Sequence, residues 1–184
     1  MRRSVSALKS RRTDAGFTLL EMLVVFGIMA LLMVFSLQMF ALSRSRFRDS
    51  TRKQHLNQIK TALRIYYNDK GEYPPSNLVG QEEYIAACGD DGDEDCLWGE
   101  AFVQGNLDGS NTVYLPTLPE PPQRGVGTAR RYGYRQLESG DGFILYTKLE
   151  NASDEDGAIS IGRCDVVSRM GGSFDLDRTY VVCN

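Results

Sequence analysis

The stretch that decides the fold is residues 14–43, DAGFTLLEMLVVFGIMALLMVFSLQMFALS. Between Glu21 and Arg44 it contains no charged residue, so Met22 to Ser43 is an uncharged run, and no proline interrupts it. As a helix rising about 1.5 Å per residue, this run would cover roughly 33 Å, the thickness of a bilayer core. A helix that is apolar on every side needs lipid or a fully buried environment. The sequence therefore predicts a helix that can span a membrane.

The charges around this run are unevenly distributed. Up to Gly16 the chain carries five basic residues against one acidic residue, Asp14, whereas the remainder holds 16 basic and 23 acidic residues, a net charge of −7. The basic start is typical of a targeting segment. The weakly acidic remainder argues against nucleic acid as a direct partner, because phosphate neutralisation needs clustered lysine and arginine. Glu21 is unusual, since an acidic residue in a transmembrane segment costs about 2.5–3.5 kcal/mol and needs a partner.

The segment from Asp14 to Glu21 resembles the processing site of type IV prepilins and type II secretion pseudopilins. In that family a membrane-embedded aspartic peptidase cuts after the glycine that corresponds to Gly16, and the new first residue, here Phe17, is N-methylated. The resemblance also implies that Glu21 neutralises the terminal amine of a neighbouring subunit during assembly. An amine and a carboxylate buried in a helix bundle are each costly alone and tolerable together. The alternative is a plain signal anchor whose glutamate faces a partner helix.

The resemblance implies an α+β fold of the pilin type, in which a long N-terminal helix packs against a small antiparallel β-sheet. It divides the chain into four segments. These are a prepilin leader at 1–16, a transmembrane and polymerisation helix at 17–43, an amphipathic half of the same helix at 44–70, and a globular head at 71–184 whose C-terminal region is bounded by a disulfide.

Helical spacing continues after the apolar run. Apolar residues recur at intervals of mostly three, four and seven, at Phe47, Leu56, Ile59, Leu63 and either Tyr66 or Tyr67. The pattern fades at Asn68–Gly71, which ends in a glycine suited to a helix C-terminus, and Pro74 and Pro75 follow. We therefore expect one helix from about Phe17 to about Asp69.

Five basic residues follow the apolar run: Arg44, Arg46, Arg48, Arg52 and Lys53. We expect them to form a polar collar at the membrane surface, in contact with lipid headgroups. By the positive-inside rule, basic residues favour the cytoplasmic side of a membrane, and here they lie on both flanks of the helix, so they do not fix its orientation. The orientation, with the leader in the cytoplasm and the body outside, is therefore what the resemblance implies.

Beyond the helix, the pattern predicts a loop-rich segment followed by strands. The chain from Ser76 to Gln123 lacks a sustained period and is expected to be loop-rich. A hairpin is predicted from Arg131–Arg135 and Phe143–Leu149, which are rich in aromatic and β-branched residues around a glycine-containing turn. Ala158–Ile161 and Thr179–Val182 are two further strand candidates.

Four cysteines, Cys88, Cys96, Cys164 and Cys183, allow three pairings. They lack the CxxC spacing of a zinc site, and an even count beside a targeting segment fits an oxidising compartment. A Cys88–Cys96 bridge would close a short loop at small entropic cost. Because many pilins carry a disulfide-bounded C-terminal region, the resemblance favours Cys164–Cys183. Spacing alone leaves the crossed pairings open.

The loop between Cys88 and Cys96 is strongly acidic. Its sequence, CGDDGDEDC, places four aspartates at Asp90, Asp91, Asp93 and Asp95, beside Glu94. Carboxylates held together in this way could bind calcium, a hard cation that takes six to eight oxygen ligands. The competing interpretation is a solvated acidic loop that improves solubility.

The sequence contains no catalytic pattern that we recognise, since it has a single histidine and no phosphate-binding glycine loop. We expect a structural protein and not an enzyme.

The resemblance implies a subunit of a type IV pilus or of a type II secretion pseudopilus. Residues 62–74 resemble major pseudopilins, but they do not distinguish these two kinds of filament. Its partners would be the prepilin peptidase and methyltransferase, copies of itself or related pilins, and an inner-membrane assembly platform. It would be a single-pass inner-membrane protein before assembly, then a periplasmic or cell-surface filament. The alternative is a monomeric, membrane-anchored extracytoplasmic binding module.

Overall fold

The computed structural model describes residues 16–79, 82–105, 110–122, 132–137, 140–170 and 177–184, without the side chains of residues 35–42 and 82. The helices within these ranges are α1 (Leu19–Lys70), α2 (Asp156–Arg163) and α3 (Val166–Met170). The strands are β1 (Ser76–Val79), β2 (Glu82–Cys88), β3 (Glu94–Cys96), β4 (Phe102–Gly105), β5 (Asn111–Leu115), β6 (Tyr132–Leu137), β7 (Gly142–Lys148) and β8 (Thr179–Cys183). By its contacts the chain divides into two compact units, Met1–Ala41 and Leu42–Asn184. We call the second unit the body.

The part of α1 that lies in the body carries one buried apolar stripe. Leu56, Ile59 and Leu63 are fully buried, and Tyr66 stacks against the aromatic ring of Phe102 with ring centroids 5.7 Å apart. This is the amphipathic pattern of a helix that covers a core. The predicted stripe is therefore confirmed from Leu56 to Tyr66, but its first member, Phe47, is 74% exposed and does not belong to it.

The end of α1 also follows its sequence signal. The helix ends at Lys70, and Gly71 adopts a φ of 82°, a left-handed conformation that glycine takes without a steric penalty. The backbone N–H of Gly71 donates to the carbonyl oxygen of Tyr67 at 2.8 Å. The chain then turns through Tyr73 and Pro74, where the Pro74 carbonyl accepts a hydrogen bond from the Tyr134 hydroxyl at 2.6 Å.

The body contains three small antiparallel sheets in its described residues. Their strand orders are β1-β2-β3, β4-β5 and β6-β7-β8. The predicted hairpin is confirmed as β6 and β7, which pair from Tyr132 opposite Thr147 to Leu137 opposite Gly142. The predicted strand at Thr179–Val182 is confirmed as part of β8, which pairs with β7. Together with α1 these sheets give the expected α+β class.

The expectation of a loop-rich segment from Ser76 to Gln123 was wrong, because five strands occupy most of its described residues. These strands are short, and β1 is exposed at each of its four positions. A strand of this kind shows no alternation of apolar and polar residues, which is the signal that strand prediction needs.

The predicted strand at Ala158–Ile161 was also wrong, since these residues lie in α2. Gly157 and Ser160 are its buried positions, three residues apart, and Cys164 just beyond its end is buried as well. That spacing is helical. The Ser160 hydroxyl donates to the Gly157 carbonyl at 2.7 Å and accepts the backbone N–H of Val181 in β8 at 3.0 Å. A tertiary hydrogen bond thus fixes the segment as a helix against the sheet.

Candidate functional site

The residues around the predicted cleavage position are exposed and precede the helix. Gly16, Phe17 and Thr18 are non-helical, and a Cβ placed on Gly16 would meet no other atom within 4 Å. The Thr18 hydroxyl oxygen accepts the backbone N–H of Glu21 at 3.2 Å, as an N-cap does. This cap explains why the helix begins at Leu19, two residues later than predicted. Asp14 and the other residues of the predicted leader before Gly16 lie outside the described residues.

The described part of the first unit exposes its apolar side chains. The large hydrophobic residues exposed there are Phe17, Leu19, Leu20, Met22, Leu23, Val24, Val25, Phe26, Ile28, Met29, Leu31, Leu32, Met33 and Val34. Glu21 is exposed among them, and its carboxylate has no ion pair within the described residues. Contiguous exposed apolar surface on a single chain marks a site that binds other protein or lipid.

Across the described residues, no helix is both long enough and apolar enough to cross a membrane. The predicted transmembrane helix at 17–43 includes residues 35–42, whose side chains lie outside the described ones.

A buried ion-pair network joins α1 to the loop after β7. Arg52 is the centre of this network and is only 1% exposed. Its guanidinium donates to Asp49 at 2.7 Å, to Glu150 at 2.8 Å and to the carbonyl oxygen of Pro122 at 2.7 Å. Arg48 donates from two guanidinium nitrogens to the two carboxylate oxygens of Glu150, at 2.8 and 2.5 Å. Two guanidinium groups thus form ion pairs with the same buried carboxylate, that of Glu150.

Asp49 completes the network by binding the backbone of the same loop. Its carboxylate accepts the backbone N–H of Glu150 at 2.9 Å and that of Asn151 at 2.8 Å. One turn further along α1, the Lys53 ammonium contacts Asp154 and Asp156, each at 2.7 Å. The network satisfies polar groups that would otherwise be costly to bury, and it fixes the loop against the helix.

These contacts correct the expectation of a basic collar. Arg48, Arg52 and Lys53 bind carboxylates of the body, so they are not a surface collar. Apart from Asp49, their partners follow about a hundred residues later in the sequence, a separation that a local charge pattern does not reveal. Arg44 and Arg46 do remain exposed, as a collar requires.

Two disulfides close loops in the body. Cys88 is joined to Cys96 between β2 and β3, and Cys164 is joined to Cys183 between the end of α2 and β8. These are the pairs expected from the sequence and the resemblance. The second bridge links α2 to the strand on which it packs, so the C-terminal region is held covalently as well as by the Ser160 hydrogen bond.

The structure gives the acidic loop no metal-binding arrangement. Among the described residues no group of three or more histidine, cysteine or acidic side chains is placed to hold a metal ion. Asp90, Asp91 and Asp93 are exposed, whereas Asp95 lies in β3 and accepts a hydrogen bond from Asn77 of β1 at 3.1 Å. Calcium binding by this loop stays a prediction.

One comparison with known proteins gives a match. Residues 11–37 match the model of the prokaryotic N-terminal methylation motif. A comparison with curated proteins gave no match, and a comparison with solved structures also gave none. The matched range contains Gly16, Phe17 and Glu21.

The chain thus carries the prepilin-type leader motif, the hallmark of type IV pilins and pseudopilins, ahead of an α+β body. This motif marks it as a pilin-like substrate of a prepilin peptidase.

Proposed function

We propose that this chain is the precursor of a structural filament subunit. A prepilin peptidase cleaves it after Gly16, the new terminus at Phe17 is methylated, and an inner-membrane platform assembles the mature chains. Before assembly the chain is anchored in the inner membrane by the apolar half of α1. Afterwards it forms a periplasmic or cell-surface filament, and its role is structural rather than catalytic.

The observation that carries this proposal is the exposed apolar surface next to the methylation motif. Fourteen large hydrophobic side chains from Phe17 to Val34 inclusive are exposed on a single chain. Lipid covers such a surface before assembly, and the same helix of neighbouring copies can cover it in a filament. Glu21 has no ion pair within the described residues, so it is available to the terminal amine of a neighbour, a pairing that lowers the cost of burying both charges.

Two filament roles are compatible with this proposal. One is a type IV pilus that serves adhesion, motility or DNA uptake, and the other is a type II secretion pseudopilus that moves secreted proteins outward. The competing function is a monomeric, membrane-anchored binding module, which would need neither cleavage after Gly16 nor the charge of Glu21.

Replacing Glu21 by glutamine tests assembly directly. Glu21→Gln keeps the size of the side chain and removes its charge, so a neighbour's amine would be buried without a partner. We expect at least about a tenfold loss of filaments in the sheared surface or pseudopilus fraction, because an unpaired buried charge costs several kcal/mol. The amount of cleaved subunit in the membrane should stay the same.

Glu100→Gln is the matched control, because Glu100 is an exposed carboxylate of the body. It should assemble at the wild-type level. Wild-type filament yield from Glu21→Gln would contradict the proposed role of the Glu21 charge, whereas a wild-type chain that forms no filaments beside an active assembly machinery would favour the binding module.

A further inference from the structure

A groove lies on the body beside the start of its part of α1. Its cavity volume is about 550 Å³, and its charged lining residues are Arg46, Lys53, Asp154, Glu155 and Asp156. This volume lies in the range of sites that hold small ligands or headgroups. The groove belongs to neither the processing motif nor the core.

The charges in the groove are only partly satisfied by one another. Lys53 is paired with Asp154 and Asp156, and the Asp156 side chain is still 61% exposed. Arg46 and Glu155 are exposed and have no ion pair within the described residues. The groove therefore offers one available guanidinium and an excess of carboxylate, so it suits a ligand that carries both charges. A purely anionic ligand would face three carboxylates.

The position of the groove along α1 indicates where such a ligand would come from. Arg46 lies four residues after Leu42, the last residue of the apolar stretch, which is about 6 Å along a helix. The headgroup layer on each side of a bilayer core is about 5–7 Å thick. If the apolar half of α1 spans the membrane, Arg46 lies at the depth of the lipid headgroups.

We propose that this groove binds the headgroup of a phosphoethanolamine lipid while the precursor is in the membrane. The Arg46 guanidinium donates to the phosphate, for which its planar fork is suited. The carboxylates of Glu155 and Asp156 accept hydrogen bonds from the primary ammonium. This inference rests on the proposed function, because it requires the precursor to be inserted in a membrane.

The test is native mass spectrometry of the delipidated full-length precursor with phosphatidylethanolamine, phosphatidylcholine and phosphatidylglycerol of identical acyl chains. We expect phosphatidylethanolamine to be retained about tenfold better than the other two, since charge-assisted hydrogen bonds to its ammonium are lost with each of them. Choline has no N–H to donate, and glycerol has no positive charge. Equal retention of the three lipids would overturn the proposal.

Arg46→Gln and Arg44→Gln form a matched pair. Both arginines are exposed on α1, but Arg44 does not line the groove. Arg46→Gln should lower retention of phosphatidylethanolamine about tenfold, whereas Arg44→Gln should leave it within about twofold. An equal effect of the two variants would mean that general surface charge, and not the groove, attracts the lipid.

Glu155→Gln tests the other half of the site. It should reduce the preference for phosphatidylethanolamine over phosphatidylglycerol, and an unchanged preference would contradict the role given to the carboxylates.

Cleavage of the same sample by a prepilin peptidase separates the two proposals. A precursor that is cleaved but shows no lipid preference refutes the groove alone, whereas a precursor that resists cleavage refutes the proposed function.

Discussion

Asp49 illustrates how a single side chain can hold a helix and a distant loop together. Its carboxylate binds the guanidinium of Arg52 on its own helix and two backbone N–H groups at Glu150 and Asn151. The Arg52 side chain is as buried as that of Asp49, so neither charge could be solvated if the other were removed. The network is thus a set of groups that stabilise the body only while all are present.

Removing the central cation should destabilise the body strongly. Arg52→Met leaves the carboxylates of Asp49 and Glu150 buried without its charge, and we expect a loss of about 3–5 kcal/mol in the free energy of unfolding. In a chain of this size that loss lowers the Tm by roughly 10 °C. Thermal unfolding of the detergent-solubilised full chain, followed by circular dichroism, measures it.

Arg64→Met is the control on the same helix, because Arg64 is exposed. Its Tm should stay close to that of the wild type, as surface substitutions usually change stability by less than about 0.5 kcal/mol. Equal Tm losses in the two variants would mean that the network adds nothing beyond general helix charge.

Glu150 should make the stability of the body depend on pH in acid. The hydrogen bonds from the Arg48 guanidinium, together with the one from Arg52, lower the pKa of Glu150 from 4.5 to about 2. Because the pKa is lower in the folded state, the carboxylate contributes its full stabilisation above the ordinary pKa and loses it as the pH falls toward 2. The Tm difference between the wild type and Glu150→Gln should therefore be largest near neutral pH and shrink between about pH 4.5 and pH 2. A difference that stays constant over this range would show that shape, and not charge, matters at this position.

At the scale of elements, the contact between β6 and β7 depends on a glycine. Gly133 of β6 is buried opposite Tyr146 of β7, and a Cβ at position 133 would lie 2.2 Å from the Tyr146 ring. The Tyr146 hydroxyl contacts Glu83 of β2 at 3.1 Å, so the ring also connects two sheets. The ring can make this connection because Gly133 leaves space beneath it.

Gly133→Ala should therefore destabilise the body by about 1–3 kcal/mol, as overpacking does. Gly162→Ala is a matched control, since Gly162 lies in α2 and a Cβ there would meet no atom within 4 Å. That change should stabilise the helix by about 0.5–1 kcal/mol. Chemical denaturation of both full-length variants measures these opposite changes in the free energy of unfolding. An unchanged free energy of unfolding in Gly133→Ala would mean that the Tyr146 ring moves aside freely.

The sequence correctly predicted those elements whose conformation is determined by residues close to them in the chain. The C-terminal end of α1 at Gly71 and the β6–β7 hairpin both have signals within a few residues. By contrast, α2 was mistaken for a strand because two of the four residues of Ala158–Ile161 are β-branched isoleucines, which favour strands. Its buried face becomes evident only when Ser160 meets β8. The ion-pair network was missed for a related reason, since Arg52 and Glu150 come together only in the folded body.

At the scale of the whole molecule, the two units have features that suit different roles. The body has its own core and a buried ion-pair network, as a folded domain does, and its two disulfides are typical of proteins that fold in an oxidising compartment. The first unit exposes apolar side chains that a single chain in water could not leave uncovered. A filament subunit would use both, with its helices packed together and its bodies on the surface.

The central claim is that the methylation motif is used, and the intact mass and N-terminal sequence of the protein test it most directly. The protein would be purified from a strain that contains its own assembly machinery. The account predicts a chain that begins at Phe17 and is heavier by one methyl group than the unmodified processed sequence. A chain that still carries Met1 to Gly16, in cells whose prepilin peptidase is active, would contradict it.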